Sequence, residues 1–207
     1  MIPRPLLVVT LCCLAGCSSG LLESDREPAE IYRLQAPTIE TRAAAAVPVS
    51  VLVPRLRTSQ SLNTERIATL RPGHRFDYFE GVRWSESAPL MLQQLVVETL
   101  SRDGRFALVA TSPARIPAEY TLDLELRRFE AVYSSAEAAP TVVVQLQAAL
   151  VSNRKATTVA SFQAEAAVPA AEARRAAVID AFDRATAEVL GTLATRLREA
   201  PVVAATQ

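Results

Sequence analysis

Residues 120–133 read YTLDLELRRFEAVY. Tyr120, Leu122, Leu124 and Leu126 alternate with polar neighbours, the period of a strand with one face in a core. The apolar phase then changes to Phe129, Ala131 and Tyr133. A strand can keep all seven side chains on one face only by inserting a residue at Arg127-Arg128, so the pattern predicts a β-bulge there. Two long strands follow. Val142, Val144, Leu146, Ala148 and Leu150 line one face of the first, with Gln145 and Gln147 opposite. Val159, Phe162, Ala164, Ala166 and Val168 belong to the second, with Gln163 and Glu165 outward. The short connections at 134–140 and 153–157 predict a meander of antiparallel hairpins.

Outward from this centre, Phe106, Leu108 and Ala110 alternate as another strand. Ser87-Ala88-Pro89 reads as a helix start, with a side-chain oxygen to cap free amides and Pro in the first turn. Leu92, Leu95, Val96, Thr99 and Leu100 make its apolar stripe, and Gly104 suits a left-handed stop. A longer helix spans Ala171 to about Glu199, burying Val178, Phe182, Ala185, Val189, Leu193 and Leu197. Upstream, strands are expected at 31–34, 49–53, 66–70 and 75–79, with Gly81 turning the chain into Val82-Arg83-Trp84 and a linker at 36–47. The expected fold class is α+β: one domain over residues 30–200, a mainly antiparallel sheet with two principal helices on one face. Residues 201–207 read as a flexible tail.

The chain has 207 residues, half of them hydrophobic, with 22 basic and 22 acidic side chains. That balance excludes a disordered chain and gives no global attraction to nucleic acid. No stretch approaches the roughly 20 apolar residues of a spanning helix. The three cysteines, Cys12, Cys13 and Cys17, all lie at the start. Arg4 precedes an apolar run from Leu6 to Ala15, a signal-peptide pattern. Leu14-Ala15-Gly16-Cys17 resembles the bacterial lipobox. The resemblance implies a signal peptide over 1–16, cleavage between Gly16 and Cys17, and a diacylglycerol on the Cys17 sulfur with an acyl chain on its nitrogen. Several acyl chains, at about 0.8 kcal/mol per buried methylene, anchor a domain stably. Ser18, in place of an Asp, implies sorting to the outer membrane rather than the inner one. Residues 17–29 form the lipidated N-terminus and tether; twelve of them, 18–29, reach at most ~40 Å. Loss of Arg4 leaves the mature chain at −1.

Groups for chemistry are sparse. His74 is the sole histidine and follows Pro72-Gly73 in a turn, where an exposed loop residue is expected. No Gly-x-Ser-x-Gly elbow, phosphate loop or calcium loop is present, and no Cys/His set suits a metal. Asp123 and Glu125 share an outward strand face. The reading is of a non-enzymatic chain without cofactor. One local charge feature remains: Arg55, Arg57, Arg66, Arg71, Arg75 and Arg83 face only Glu65, Asp77 and Glu80, a local +3. It reads either as a solvated region or as a docking surface for an acidic partner or lipid phosphates. Trp84, the single tryptophan, reads as a core anchor rather than a binding aromatic.

The order of these features resembles the family of ABC-type transport auxiliary lipoproteins. The matching residues are Cys17, Ile31-Tyr32-Arg33-Leu34, the Val49–Pro54 strand leading into Arg55-Leu56, Arg66-Ile67, Trp84 before an amphipathic helix, and Phe106 after Gly104. Members accompany MCE-domain proteins and ABC permeases with their ATPases in moving lipids across the envelope, and are not themselves ATPases. The resemblance therefore implies an outer-membrane-anchored accessory subunit on the periplasmic side. It holds one end of a lipid conduit, and its partners are an MCE-domain protein and an ABC permease/ATPase complex. A homo-oligomer is compatible with that role. Two alternatives stand beside it: a periplasmic lipid- or ligand-binding lipoprotein acting alone, and a lipoprotein assisting outer-membrane protein assembly.

Overall fold

The computed structural model describes residues 28–38, 46–111, 118–135 and 137–203. Among them are β1 (Glu30–Tyr32), β2 (Val47–Leu52), β3 (Arg57–Thr58), β4 (Arg66–Arg71) and β5 (Arg75–Trp84). Helix α1 (Ala88–Asp103) is followed by β6 (Phe106–Ala110), β7 (Tyr120–Val132), β8 (Thr141–Ser152), β9 (Thr157–Pro169) and α2 (Arg175–Glu199). No helix among the described residues is long and apolar enough to cross a membrane.

The α+β expectation holds, with a mixed sheet. β7, β8 and β9 form the expected antiparallel meander, Leu122 facing Leu150 and Leu146 facing Ala164. The register of β7 on β8 shifts between Leu126 and Arg128, where the sequence period slips. The other edge of β7 carries three short strands in succession, all parallel to it. Val51 pairs with Tyr120, Arg57 with Glu125, and Ala68 with Glu130. The sheet therefore divides into two limbs. β2 carries β6 at one end, and β4 carries β5 and then β1 at the other. Parallel partners lie far apart in sequence, which is why local patterning did not reveal them.

Both helices cover one face of the sheet. Val142, Val144, Leu146, Ala148 and Leu150 are buried there, as is the whole expected α2 stripe. The small side chains of Ala164 and Ala166 on β9 let α2 lie close against the sheet. Trp84 at the end of β5, Phe129 just past the bulge and Phe182 of α2 meet with ring centroids 5.0–5.6 Å apart. At the C-terminal ends of the helices, Arg198 donates from Nε to the buried Asp103 carboxylate at 2.7 Å and again from Nη2, clamping α2 to α1.

Three boundaries differ from the sequence reading. Helix α2 starts at Arg175, not Ala171, because Ala170 is still bonded to Pro140 at 2.9 Å and the chain needs four residues to leave the sheet for the helix layer. Ser87 occupies the N-cap of α1 without a side-chain cap bond. Its carbonyl accepts from Leu90 and Met91 instead, and its hydroxyl accepts from Arg55 at 3.1 Å. The strand expected to end at Phe79 before a turn at Gly81 instead runs on to Trp84, bulged around Gly81. Gly104 takes the left-handed stop with φ 71°. At the C-terminus, the Tyr120 hydroxyl both accepts from the Val203 amide and donates to its carbonyl.

Phe182→Ala is expected to cost about 3–5 kcal/mol through loss of apolar contact and the cavity left behind, read as a lower urea midpoint. A second test concerns Glu119, which ties the start of β7 to the Ser50 amide at 2.7 Å and to its hydroxyl. These bonds hold Glu119 below its ordinary value of 4.5, outweighing the opposing effect of burial. The resulting stability is full above the unfolded value and is lost as pH falls through the lower folded one. Glu119→Gln should therefore destabilise the chain at neutral pH and flatten the acid limb of its stability profile.

Candidate functional site

The six arginines between residues 55 and 83 do not form one patch. Arg55 donates to Asn63 Oδ1 at 2.8 Å and to the Ser87 hydroxyl, bracing the loop before β4. Arg57 stands on β3 opposite Glu125, which also pairs with Arg127 at 3.6 Å. The other four share the β4–β5 hairpin. Arg66 and Arg83 are cross-strand neighbours, as are Arg71 and Arg75 at the hairpin end. Strand alternation places these two pairs on opposite faces.

On the face away from the helices, the Arg66 guanidinium lies 3.8 Å from the centre of the Tyr78 ring, and Phe76 meets Tyr78 edge-on at 5.5 Å. Arg83 pairs with Glu65 at 2.6 Å. On the helix side, Arg71 lies over the Tyr133 ring at 4.7 Å. Burial raises the Tyr133 hydroxyl above the ordinary phenol value, against the pull of Arg71. Arg75 has no ion-pair partner among the described residues.

Arg71 and Arg75 line a cleft of about 810 Å3 between the hairpin and the start of α2, together with Glu30, Tyr32, Asp77, Glu80, Arg174 and Arg175. Tyr32 donates to Glu30 Oε2 at 2.6 Å, and that bond raises the phenol above its ordinary value, with Arg175 opposing. Arg175 also reaches Glu30 at 3.6 Å. A second cleft of about 650 Å3, around Gly81, is lined by Ala29, Arg66, Phe79, Arg83 and again Arg175. Guanidinium groups in such clefts can fork hydrogen bonds to carboxylates or phosphates. Arg174 and Arg175 escaped the sequence reading. Their adjacency in the first turns of the expected helix was visible, but their approach to the hairpin depends on the topology.

Trp84 is fully buried, the core anchor expected of it. His74 is exposed at the hairpin tip with φ 59°, next to Gly73 at φ 76°. Among the described residues no group of three or more His, Cys, Asp or Glu is placed to hold a metal. Gly16, Cys17 and Ser18 lie outside the described residues.

The family model for the ABC-type transport auxiliary lipoprotein component matches residues 32–194. A Xanthomonas campestris protein of the DUF330 family is similar in structure, with TM-score 0.75 and 26% identity over 83% of this chain and 97% of that one. The Chlamydia trachomatis hypothetical protein CT253 shares the fold at TM-score 0.55 and 7% identity, covering 74% of this chain and 98% of its own. No curated protein matches the chain in sequence.

Gly81 lines the second cleft, directly after Phe79 and Glu80, which line both. Its φ of +68° is one that L residues adopt rarely, and a Cβ there would meet Arg175 Nη2 at 3.4 Å. Gly81→Val is expected to cost about 1–2 kcal/mol from the left-handed backbone. Chemical denaturation would show the loss even in an Arg175→Ala background, because the strain lies in the main chain rather than in the contact.

Proposed function

The chain belongs to the ABC-type transport auxiliary lipoprotein family, and we propose on that premise that it is a non-enzymatic subunit of an MCE-type envelope lipid transporter. Anchored to the periplasmic side of the outer membrane through acylated Cys17, it holds a transport complex of an MCE-domain protein and an ABC permease/ATPase against that membrane. The observation that carries the reading is the family match, which runs from β1 nearly to the end of α2.

Three further features support it. The lipobox-like Leu14-Ala15-Gly16-Cys17 supplies the anchor. The tether is short, so the domain stays near its bilayer. The larger cleft at the β4–β5 hairpin is lined mostly by charged side chains, which suits protein or headgroup contact better than enclosure of an acyl chain.

Gentle cross-linking in cells followed by affinity capture should recover MCE and ABC components with the wild-type chain. Capture of neither would count decisively against the transporter assignment. Density-gradient fractionation checks the anchor: the wild-type chain should band with outer membranes. Cys17→Ala should lose lipid labelling, and Ser18→Asp should move the protein toward the inner membrane.

A further inference from the structure

We propose that the tip of the β4–β5 hairpin rests on the membrane that holds the anchor, with Arg71 and Arg75 binding lipid phosphates and Phe76 entering the headgroup layer; this rests on acylation of Cys17. The direction in which the tether leaves the fold carries the argument. β1 runs parallel to β5, with Glu30 beside Val82 and Tyr32 beside Trp84. The described residues before Glu30, 28 and 29, therefore lie toward the Arg75 end of β5 and the hairpin tip. Ala29 follows that path, lining the cleft with Phe79 and Gly81. Ile31 is level with Arg83 and Arg66, and Arg66 is five residues from Arg71 at the end of β4. At about 3.3 Å per residue the exit lies roughly 17 Å from the tip, well within a tether that spans up to ~40 Å.

The tip has the chemistry of a headgroup contact. Arg71 and Arg75 face each other directly across the hairpin. Such an opposition of like charges costs stability unless an anion lies between or beside them. The nearest carboxylate along the strand, Asp77, accepts the Tyr78 amide at 2.8 Å. Phe76 is 38% exposed, one of four large apolar side chains left in solvent among the described residues. The tip thus carries a cation pair on one face of the hairpin and an exposed aromatic ring on the other, which suits a tip set edge-on into a phosphate layer lying over apolar chains. The opposite end of β7 meets the β8–β9 turn, where Lys155 is exposed.

The test uses the full lipidated chain in vesicles of phosphatidylcholine and phosphatidylglycerol that carry brominated lipid. With Cys17 acylated, a thiol introduced by His74→Cys or Lys155→Cys takes a single fluorescent label. Quenching at 74 should exceed that at 155 several-fold. Arg71→Glu with Arg75→Glu should abolish the difference while the protein still floats with the vesicles. Equal quenching at the two positions, or quenching that survives the double reversal, overturns the proposal; a tip left free in this way would point to an acidic protein as its partner. Failure of the wild-type chain to float would instead reject the anchor reading, and with it this one.

Discussion

One inserted residue in β7 sets the arrangement of the domain. Without the bulge between Leu126 and Arg128, the strict two-residue period would turn Phe129 and Ala131 outward and bring Arg128 and Glu130 into the core. With it, Phe129 joins Trp84 and Phe182 in the contact that binds β5, β7 and α2 together. The bulge also falls where the neighbouring edge changes strands. β3 pairs before it, at Glu125 and Leu126, and β4 after it, from Glu130 onward. A bulged strand bends and twists more than a regular one. That local bend coincides with the division of the sheet into two limbs, one ending in β6 and the other in β5 and β1.

This coincidence explains which parts of the fold were legible. The bulge showed in the sequence because a phase slip in a long amphipathic strand has few other readings. The hairpins β7–β8 and β8–β9 showed because their strands are long and adjacent, and Gly104 ended α1 by a purely local backbone preference. The parallel pairings of β2, β3 and β4 on β7 did not show. Each rests on two or three residues whose partners lie about 60–70 positions away, and a two-residue strand such as Arg57-Thr58 carries no period. The α2 start was misplaced because helix propensity in Ala171–Arg174 cannot register that the chain is still stepping away from the sheet.

The charged segment teaches a related lesson. Six arginines within one stretch suggested a single surface, yet strand alternation sends Arg66 and Arg83 to one face of the hairpin and Arg71 and Arg75 to the other. Tyr78 and Tyr133 each hold a guanidinium against a ring, which gives two of these arginines an aromatic neighbour instead of a carboxylate. Net charge along the chain says how much cationic side chain is present. Only the register says which groups converge, and it adds Arg174 and Arg175 from nearly a hundred residues away.

The same register gives the domain two distinct ends. β4 and β7 run parallel, so the hairpin tip, the end of β7 and the start of α2 lie together, and the N-terminal end of β1 points toward that end. The Asp103–Arg198 clamp, the β8–β9 turn and the Tyr120–Val203 contact lie at the other. Between them runs the thirteen-residue β7, about 40 Å at roughly 3.3 Å per residue. It is hydrogen-bonded on both edges and covered on one face by α2 and its neighbours. A strand so held keeps its length and its local bend unless its ladder breaks. Under the proposed seating of the tip on lipid, this ladder would hold the far end away from the bilayer. The proposed task of positioning a transporter against a membrane would use such a spacing, and the long meander would supply it.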